Sequence, residues 1–185
     1  MLPDISLNIL DIAENSVRAK ATYIEIIIDI SSREHLMHVG IKDNGCGMTP
    51  EELQAVTDPF FTSRTTRKVG LGIPFLKQSA ECTGGTFSIE SKKGVGTNVS
   101  VTYHTDHIDC MPLGDITETM VTLITSHDEI DFWFAYKVDG EGFQLDTREI
   151  KEILGDIPLS EPEVRMFIQE FIAERVEEAD KKIDR

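Results

Sequence analysis

Asp11 and Asn15 stand four residues apart in Leu10-Asp11-Ile12-Ala13-Glu14-Asn15-Ser16, so on a helix their side chains share a face. An amide oxygen at Asn15 suits the octahedral shell of Mg²⁺ without adding charge beside phosphates. A carboxylate at Asp11, one turn earlier, can hold a water and take its proton. Glu14 has the same chemistry but lies about 100° around the helix from Asn15, which makes it the less natural base. Alone, these are polar groups of an amphipathic helix.

Three further stations follow in fixed order. Asp43-Asn44-Gly45-Cys46-Gly47-Met48 closes a strand pattern 28 residues after Asn15. A carboxylate at Asp43 can accept a hydrogen bond from a purine amino group, and Gly45 and Gly47 allow positive φ and close approach to a flat ring. Asp-Asn-Gly by itself is also a simple turn signature. Gly70-Leu71-Gly72 opens a helix, whose free N-terminal amides suit a triphosphate. Arg64, Arg67 and Lys68 precede it in an aperiodic stretch and are placed to close over phosphates. Gly94-Val95-Gly96-Thr97 comes last, with the Thr97 hydroxyl able to support the adenine end. The four together indicate an ATP pocket.

The elements that would position these groups are legible in the spacing. Residues 4–19 carry Ile5, Ile9, Ile12 and Ser16 on one stripe, predicting an amphipathic helix. Residues 23–30 and 36–43 read as strands. Thr49-Pro50-Glu51-Glu52 reads as a helix start, and residues 55–69 as a loop. Gly70 to Thr83 predicts a third helix, ended by Gly84-Gly85, before paired strands at 86–90 and 97–103. Residues 104–115 look like a linker. Beyond it, Thr117–Thr125 and Asp131–Val138 read as strands, Asp139-Gly140-Glu141-Gly142 as a tight turn, and residues 143–145 as a short third strand. Asp146-Thr147-Arg148-Glu149 opens a helix that Gly155 closes. Ser160-Glu161-Pro162-Glu163 opens a last helix with Val164, Phe167, Ile168, Phe171, Ile172 and Val176 on one face.

This set resembles the GHKL ATPase superfamily, and most nearly the histidine kinase catalytic and ATP-binding domain. Asp58-Pro59-Phe60-Phe61-Thr62, Gly70-Leu71-Gly72-Ile73, Ala80-Glu81 and Gly84-Gly85 resemble its lid and second glycine segment, and Ser91 through Val101 its last hairpin. The resemblance implies an α+β fold, a two-layer α/β sandwich of the Bergerat type, over residues 1–105, with a small acidic α+β module over 106–185, a β-hairpin followed by two helices. It implies Asn15 as Mg²⁺ ligand, Asp43 as adenine contact, Gly45 and Gly47 as the adenine-side turn, Phe60 in the lid, Gly70 and Gly72 at the phosphates, and Thr97 near the base. Arg18, Met48, Thr62, Arg64, Lys68 and Leu71 complete the expected ATP-binding set, with Asp11 and Glu14 as the catalytic candidates. Three departures stand out. Position 11 is Asp, where histidine kinases usually carry Asn and the ATPases Glu. No dimerisation helices bearing a phospho-accepting histidine precede the domain, and the strand that often precedes the first helix is missing. Ser126-His127-Asp128-Glu129 faintly resembles a phospho-acceptor box, but it falls between two strand-like runs and reads as a turn.

Composition narrows the function classes. The chain has 185 residues and a net charge of −15. Residues 1–105 hold 10 Lys and Arg against 12 Asp and Glu, and residues 106–185 hold 8 against 21. A half so acidic repels nucleic acid and suits a basic protein partner. No apolar run approaches the roughly 18 residues of a membrane span, and no signal peptide is visible. Three widely spaced cysteines fit neither a disulfide framework nor a zinc site and favour the cytoplasm. The expected protein is therefore a cytoplasmic one that binds ATP and Mg²⁺. It is a kinase for a separate protein phospho-acceptor, an ATPase in which Asp11 activates water, or a nucleotide sensor docking a regulatory partner. A homodimer through Phe167, Phe171 and Val176 is a further expectation.

Overall fold

A computed structural model describes residues 2–58 and 71–183. Its framework is one mixed six-stranded sheet in the order β3-β4-β2-β1-β5-β6. The strands are β1 (Tyr23–Ser31), β2 (Leu36–Asp43), β3 (Thr86–Lys92), β4 (Gly96–His104), β5 (Asp131–Val138) and β6 (Glu141–Asp146). All neighbours are antiparallel except β1 and β5, which pair in parallel from Tyr23↔Asp131 to Ile30↔Val138. Alternate residues of β1, Ile24, Ile26 and Ile28, are fully buried, as are Phe132 and Phe134 of β5. That period of two aims one face of the sheet at the helices and leaves Glu25, Ile27 and Trp133 partly exposed on the other.

Helices α1 (Ile5–Arg18), α3 (Gly72–Glu81), α4 (Ile116–Ser126) and α6 (Pro162–Asp180) form the second layer. The α+β sandwich expected from the sequence is thus the observed one. Helix α1 starts at Asp4, whose Oδ1 accepts from the Leu7 N–H at 3.0 Å. The segment 104–115 does more than connect: its Pro112 and Leu113 carbonyls accept from the Ile5 and Ser6 N–H groups at 3.0 and 2.7 Å. Two first-turn donors that the helix itself cannot satisfy are thereby paired. Helix α2 (Pro50–Thr57) opens with the expected capping box between Thr49 and Glu52. Helix α5 (Thr147–Leu154) runs from an Asp146 cap to Gly155 at φ 61°.

One element differs in kind. Thr117–Thr125, expected as a strand, lies within α4. The segment is rich in β-branched residues, which bias a local reading towards strand. It is held as helix by its Asp115 cap, whose Oδ1 accepts from the Glu118 N–H at 2.9 Å, and by burial of Ile116, Met120, Leu123 and Ile124. Those four recur at the helical period of 3.6, so tertiary packing overrides propensity. Arg165 of α6 donates to Thr125 Oγ1 at 2.7 Å and to Glu118 Oε1 at 3.0 Å, fastening α4 to α6. The expected strand at 143–145 extends to the full β6. On α6, Ile168 and Ile172 are buried and Phe171 and Val176 pack partly against the core, so of the expected dimer seam only Phe167 projects outward.

The parallel β1–β5 ladder makes a mechanical prediction. Replacing the fully buried Phe134 by Ala should cost about 3–5 kcal/mol in urea unfolding. Trp133 fluorescence and far-UV circular dichroism should shift together, because β5 shares its ladder with β1. A fluorescence transition well ahead of the dichroism change would show β5 melting separately.

Candidate nucleotide site

The site assembles where β2 ends beneath α1. The buried stripe Ile5, Ile9, Ile12 and Ala13 fixes the rotation of α1 and leaves Asp11 and Asn15 half-exposed on a neighbouring face. Ser16 belongs to the buried stripe and is 3% exposed. Its hydroxyl donates to Asp43 Oδ2 at 2.6 Å, and the Gly45 N–H donates to Asp43 Oδ1 at 2.8 Å. Asp43 is thus held rigidly at the last position of β2, paired across the sheet with Ile24 and Thr97. Each carboxylate oxygen keeps a second lone pair and can accept from an amino group.

The turn after Asp43 is locked from both sides. Asn44 Oδ1 accepts from the Thr22 and Tyr23 N–H groups at 2.9 and 3.0 Å. Gly47 sits at φ +65°, and a Cβ there would lie 2.0 Å from the Lys92 carbonyl oxygen; only glycine fits. The Gly94 N–H donates to the Cys46 carbonyl at 2.7 Å. The Met48 N–H donates to Ser91 Oγ at 2.9 Å, and that hydroxyl lies 2.8 Å from Thr97 Oγ1. The turns 44–48 and 92–97 therefore form one unit that carries both Asp43 and Thr97.

Asp11 meets the start of α3. A Cβ on Gly72 would fall 2.2 Å from Asp11 Oδ2, so the carboxylate lies directly against the first helical residue. The N-cap of α3 is Leu71, which offers no side-chain acceptor; α6 likewise lacks a side-chain cap, whereas α1, α2, α4 and α5 each have one. The first turn of α3 presents the Gly72 and Ile73 N–H groups without a side-chain cap, Pro74 having none. Asn15 Oδ1 accepts from the Arg18 guanidinium, which brings those two residues together beside Asp11.

Glu14 is placed elsewhere. Its Oε1 lies 2.9 Å from His127 Nε2, on the side of α1 that faces the end of α4, so it does not join Asp11 and Asn15. His127 itself stands at the C-cap of α4. Phe60, Thr62, Arg64, Arg67, Lys68 and Gly70 lie outside the described residues. Ser16, Asn44 and Ser91 were not expected at the site. A signal existed for Ser16: a polar residue on an otherwise apolar stripe needs a buried partner. Asn44 and Ser91 act through backbone and cross-turn bonds that carry no distinctive spacing.

The family described as Histidine kinase-, DNA gyrase B-, and HSP90-like ATPase matches residues 4–107, and the chain belongs to it. Among relatives, a probable C4-dicarboxylate sensor kinase of Bacillus subtilis is 32% identical over 78 residues, covering 42% of this chain and 15% of the relative. The sensor histidine kinase WalK of the same organism is 29% identical over 85 residues, covering 43% and 14%. The chain therefore corresponds to about one seventh of the length of such relatives. The solved MutL ATPase domain of Aquifex aeolicus, complexed with ADP, shares the fold at a TM-score of 0.52 and 16% identity, covering 83% of this chain and 70% of that one. That coverage exceeds the span 4–107, so the likeness of fold continues into the C-terminal half.

Two substitutions check the geometry. Ser16→Ala should cost about 1–3 kcal/mol by removing a buried hydrogen bond to a carboxylate, read by urea unfolding. Gly72→Ala should cost about 1–3 kcal/mol through overpacking on Asp11, and Asp11→Ala in the same chain should recover much of it. Additive losses in the double variant would contradict the contact.

Proposed function

We propose that this chain is a Mg-ATP-binding, histidine-kinase-like protein of the cytoplasm that passes the γ-phosphoryl group to a His or Ser on a separate protein. What supports phosphotransfer is the company the sequence keeps, since the relatives above carry the names of sensor kinases. What supports the nucleotide pocket is the Asp43 carboxylate, held by Ser16 and Gly45 at the end of β2 with acceptor capacity to spare for an adenine amino group. Thr97 would support the same end through Ser91. The uncapped first turn of α3 suits the phosphates, with Arg18 as a nearby cation. No described helix is long and apolar enough to cross a membrane.

The donor set around α1 fits Mg²⁺ arriving with its nucleotide. Among the described residues no group of three or more His, Cys, Asp or Glu side chains could hold a metal ion. Asn15 would contribute one neutral oxygen once Arg18 releases it, with phosphate and water supplying the rest of the shell, as is usual for this ion. Bound there, the ion would neutralise phosphate charge. The protein's own part would be to position: Asp43 orients the base, α3 anchors the anion, and the Arg18–Asn15 pair opens to receive it.

One observation favours hydrolysis as a second reading. The Asp11 carboxylate lies against Gly72, at the helix start where the phosphate chain would end. From there it could take a proton from water. Glu14, engaged by His127, is not given this role.

The test is the fate of label from γ-labelled ATP with Mg²⁺, with and without a fractionated cell extract that supplies histidine- and serine-bearing proteins. Label appearing on a protein supports the kinase; free phosphate that disappears in Asp11→Asn supports the ATPase. Asn15→Ala should weaken Mg-ATP binding at least about tenfold, measured by calorimetry. Affinity unchanged in Asn15→Ala, or equal with and without Mg²⁺, removes Asn15 from metal binding.

A further inference from the structure

Helix α6 turns a second chemical face outward. Phe167 and Met166 are 58% and 60% exposed, although they sit on a helix whose opposite side, Ile168, Ile172 and Ala179, is fully packed. Phe167 stacks on Phe171 with centroids 6.3 Å apart, and Phe171 meets Phe143 of β6 edge-on at 6.1 Å. The exposed ring is therefore the outer end of a rigid aromatic ladder rooted in the sheet.

Carboxylates surround that ring. Glu163, Glu170 and Glu174 stand four residues before, three after and seven after Phe167, all on its face of the helix. The described cations of the C-terminal half, Lys137 apart, pair with other carboxylates. Arg165 pairs with Glu118, Lys181 with Glu177 and Lys182 with Glu141, while Arg175 pairs with Glu178 and lies over the Phe171 ring at 5.4 Å, on the side of the ladder away from these three carboxylates. Arg148 and Lys151 are held by Asp146 and Asp131. Among the described residues beyond 105, Lys137 is the cation left without a carboxylate partner, and it lies on β5. Glu163, Glu170 and Glu174 have no cationic partner among the described residues.

From this we infer that the outer face of α6 docks a basic amphipathic segment of another protein, with an apolar side chain seated on Phe167 and Met166 and Lys or Arg side chains meeting Glu163, Glu170 and Glu174. An exposed aromatic ringed by unpaired charge has the composition of a docking anchor, and a helix laid against it is a familiar recognition mode. A second copy of this chain is the poorer occupant. It would bring the same three carboxylates against themselves in a symmetric contact, between molecules that each carry a net −15. The inference is independent of what happens to the γ-phosphate.

The probe is a fluorescein-labelled peptide of about 20 residues built from Leu and Lys at helical spacing, compared with a scrambled peptide of the same composition. Fluorescence anisotropy with the full chain should give affinity at least about tenfold tighter for the amphipathic peptide than for the scrambled one. Phe167→Ala should abolish that preference. The triple change Glu163→Gln, Glu170→Gln, Glu174→Gln should weaken binding and flatten its salt dependence. Circular dichroism and ATP affinity, unchanged in both variants, would show the fold and the nucleotide site intact. Equal binding of the two peptides, or binding indifferent to both variants, overturns the inference. So does a wild-type dimer in sedimentation that Phe167→Ala splits, because the face would then be covered by a second copy.

Discussion

The carboxylate of Asp43 must be kept in place beneath a helix, and much of the nucleotide end depends on how that is done. A half-buried charge is costly unless hydrogen-bonded. Here the bonds come from Ser16, on the helix, and from the backbone of Gly45, in the turn. One side chain thereby joins helix, strand end and turn. The depth at which α1 sits on the sheet is fixed by the same contact, and with it the position of Asp11 and Asn15. The neighbouring turn bonds of Asn44 and Ser91 then stiffen the strand end that carries Asp43 and Thr97.

Much of this was legible because the relevant signals are local. Alternating burial in β1 and β2, the Thr49 capping box and the Asp146-to-Gly155 helix each follow from neighbouring residue types, and all lie at or close to their expected positions. Of the two turn glycines expected at positive φ, Gly47 takes it and Gly45 does not, and the approach of the Asp11 carboxylate to Gly72 is a contact that spacing did not announce. What could not be read was decided at a distance. Helix α4 is rich in residues that favour strands, and burial against α1 and α6, added to the Asp115 cap, selects the helix. The partner of Glu14 lies 113 residues away at His127, beyond any spacing rule. Ser16 sat in plain view as the polar member of an apolar stripe, yet its partner could be identified only once α1 was seen lying over the end of β2.

The C-terminal half takes hold of α1 at both ends. Its linker carbonyls, Pro112 and Leu113, cap the first turn, and His127 engages Glu14 near the last. Helix α4 packs along the same helix between these points, with Thr119 Oγ1 donating to the Ser6 carbonyl at 3.3 Å. The outer face of α6 is thus two helices from Asp11 and Asn15: α6 is tied to α4 through Arg165, and α4 lies on α1. These are contacts between rigid elements, and they supply a physical route by which the two halves can sense each other.

The parallel pairing of β1 with β5 also has a consequence during synthesis. Tyr23 finds its neighbour Asp131 only after a further 108 residues have been made. Until then one long edge of β1 has no strand beside it, while β2, β3 and β4 can already assemble on the other. A nascent chain emerging from the ribosome must hold that apolar ribbon open for the whole interval, exposed to any strand that reaches it first. By residue 130 the growing chain already carries 18 Asp and Glu against 10 Lys and Arg, a net −8 of the final −15, so repulsion between such chains guards that edge of β1 while it still stands open.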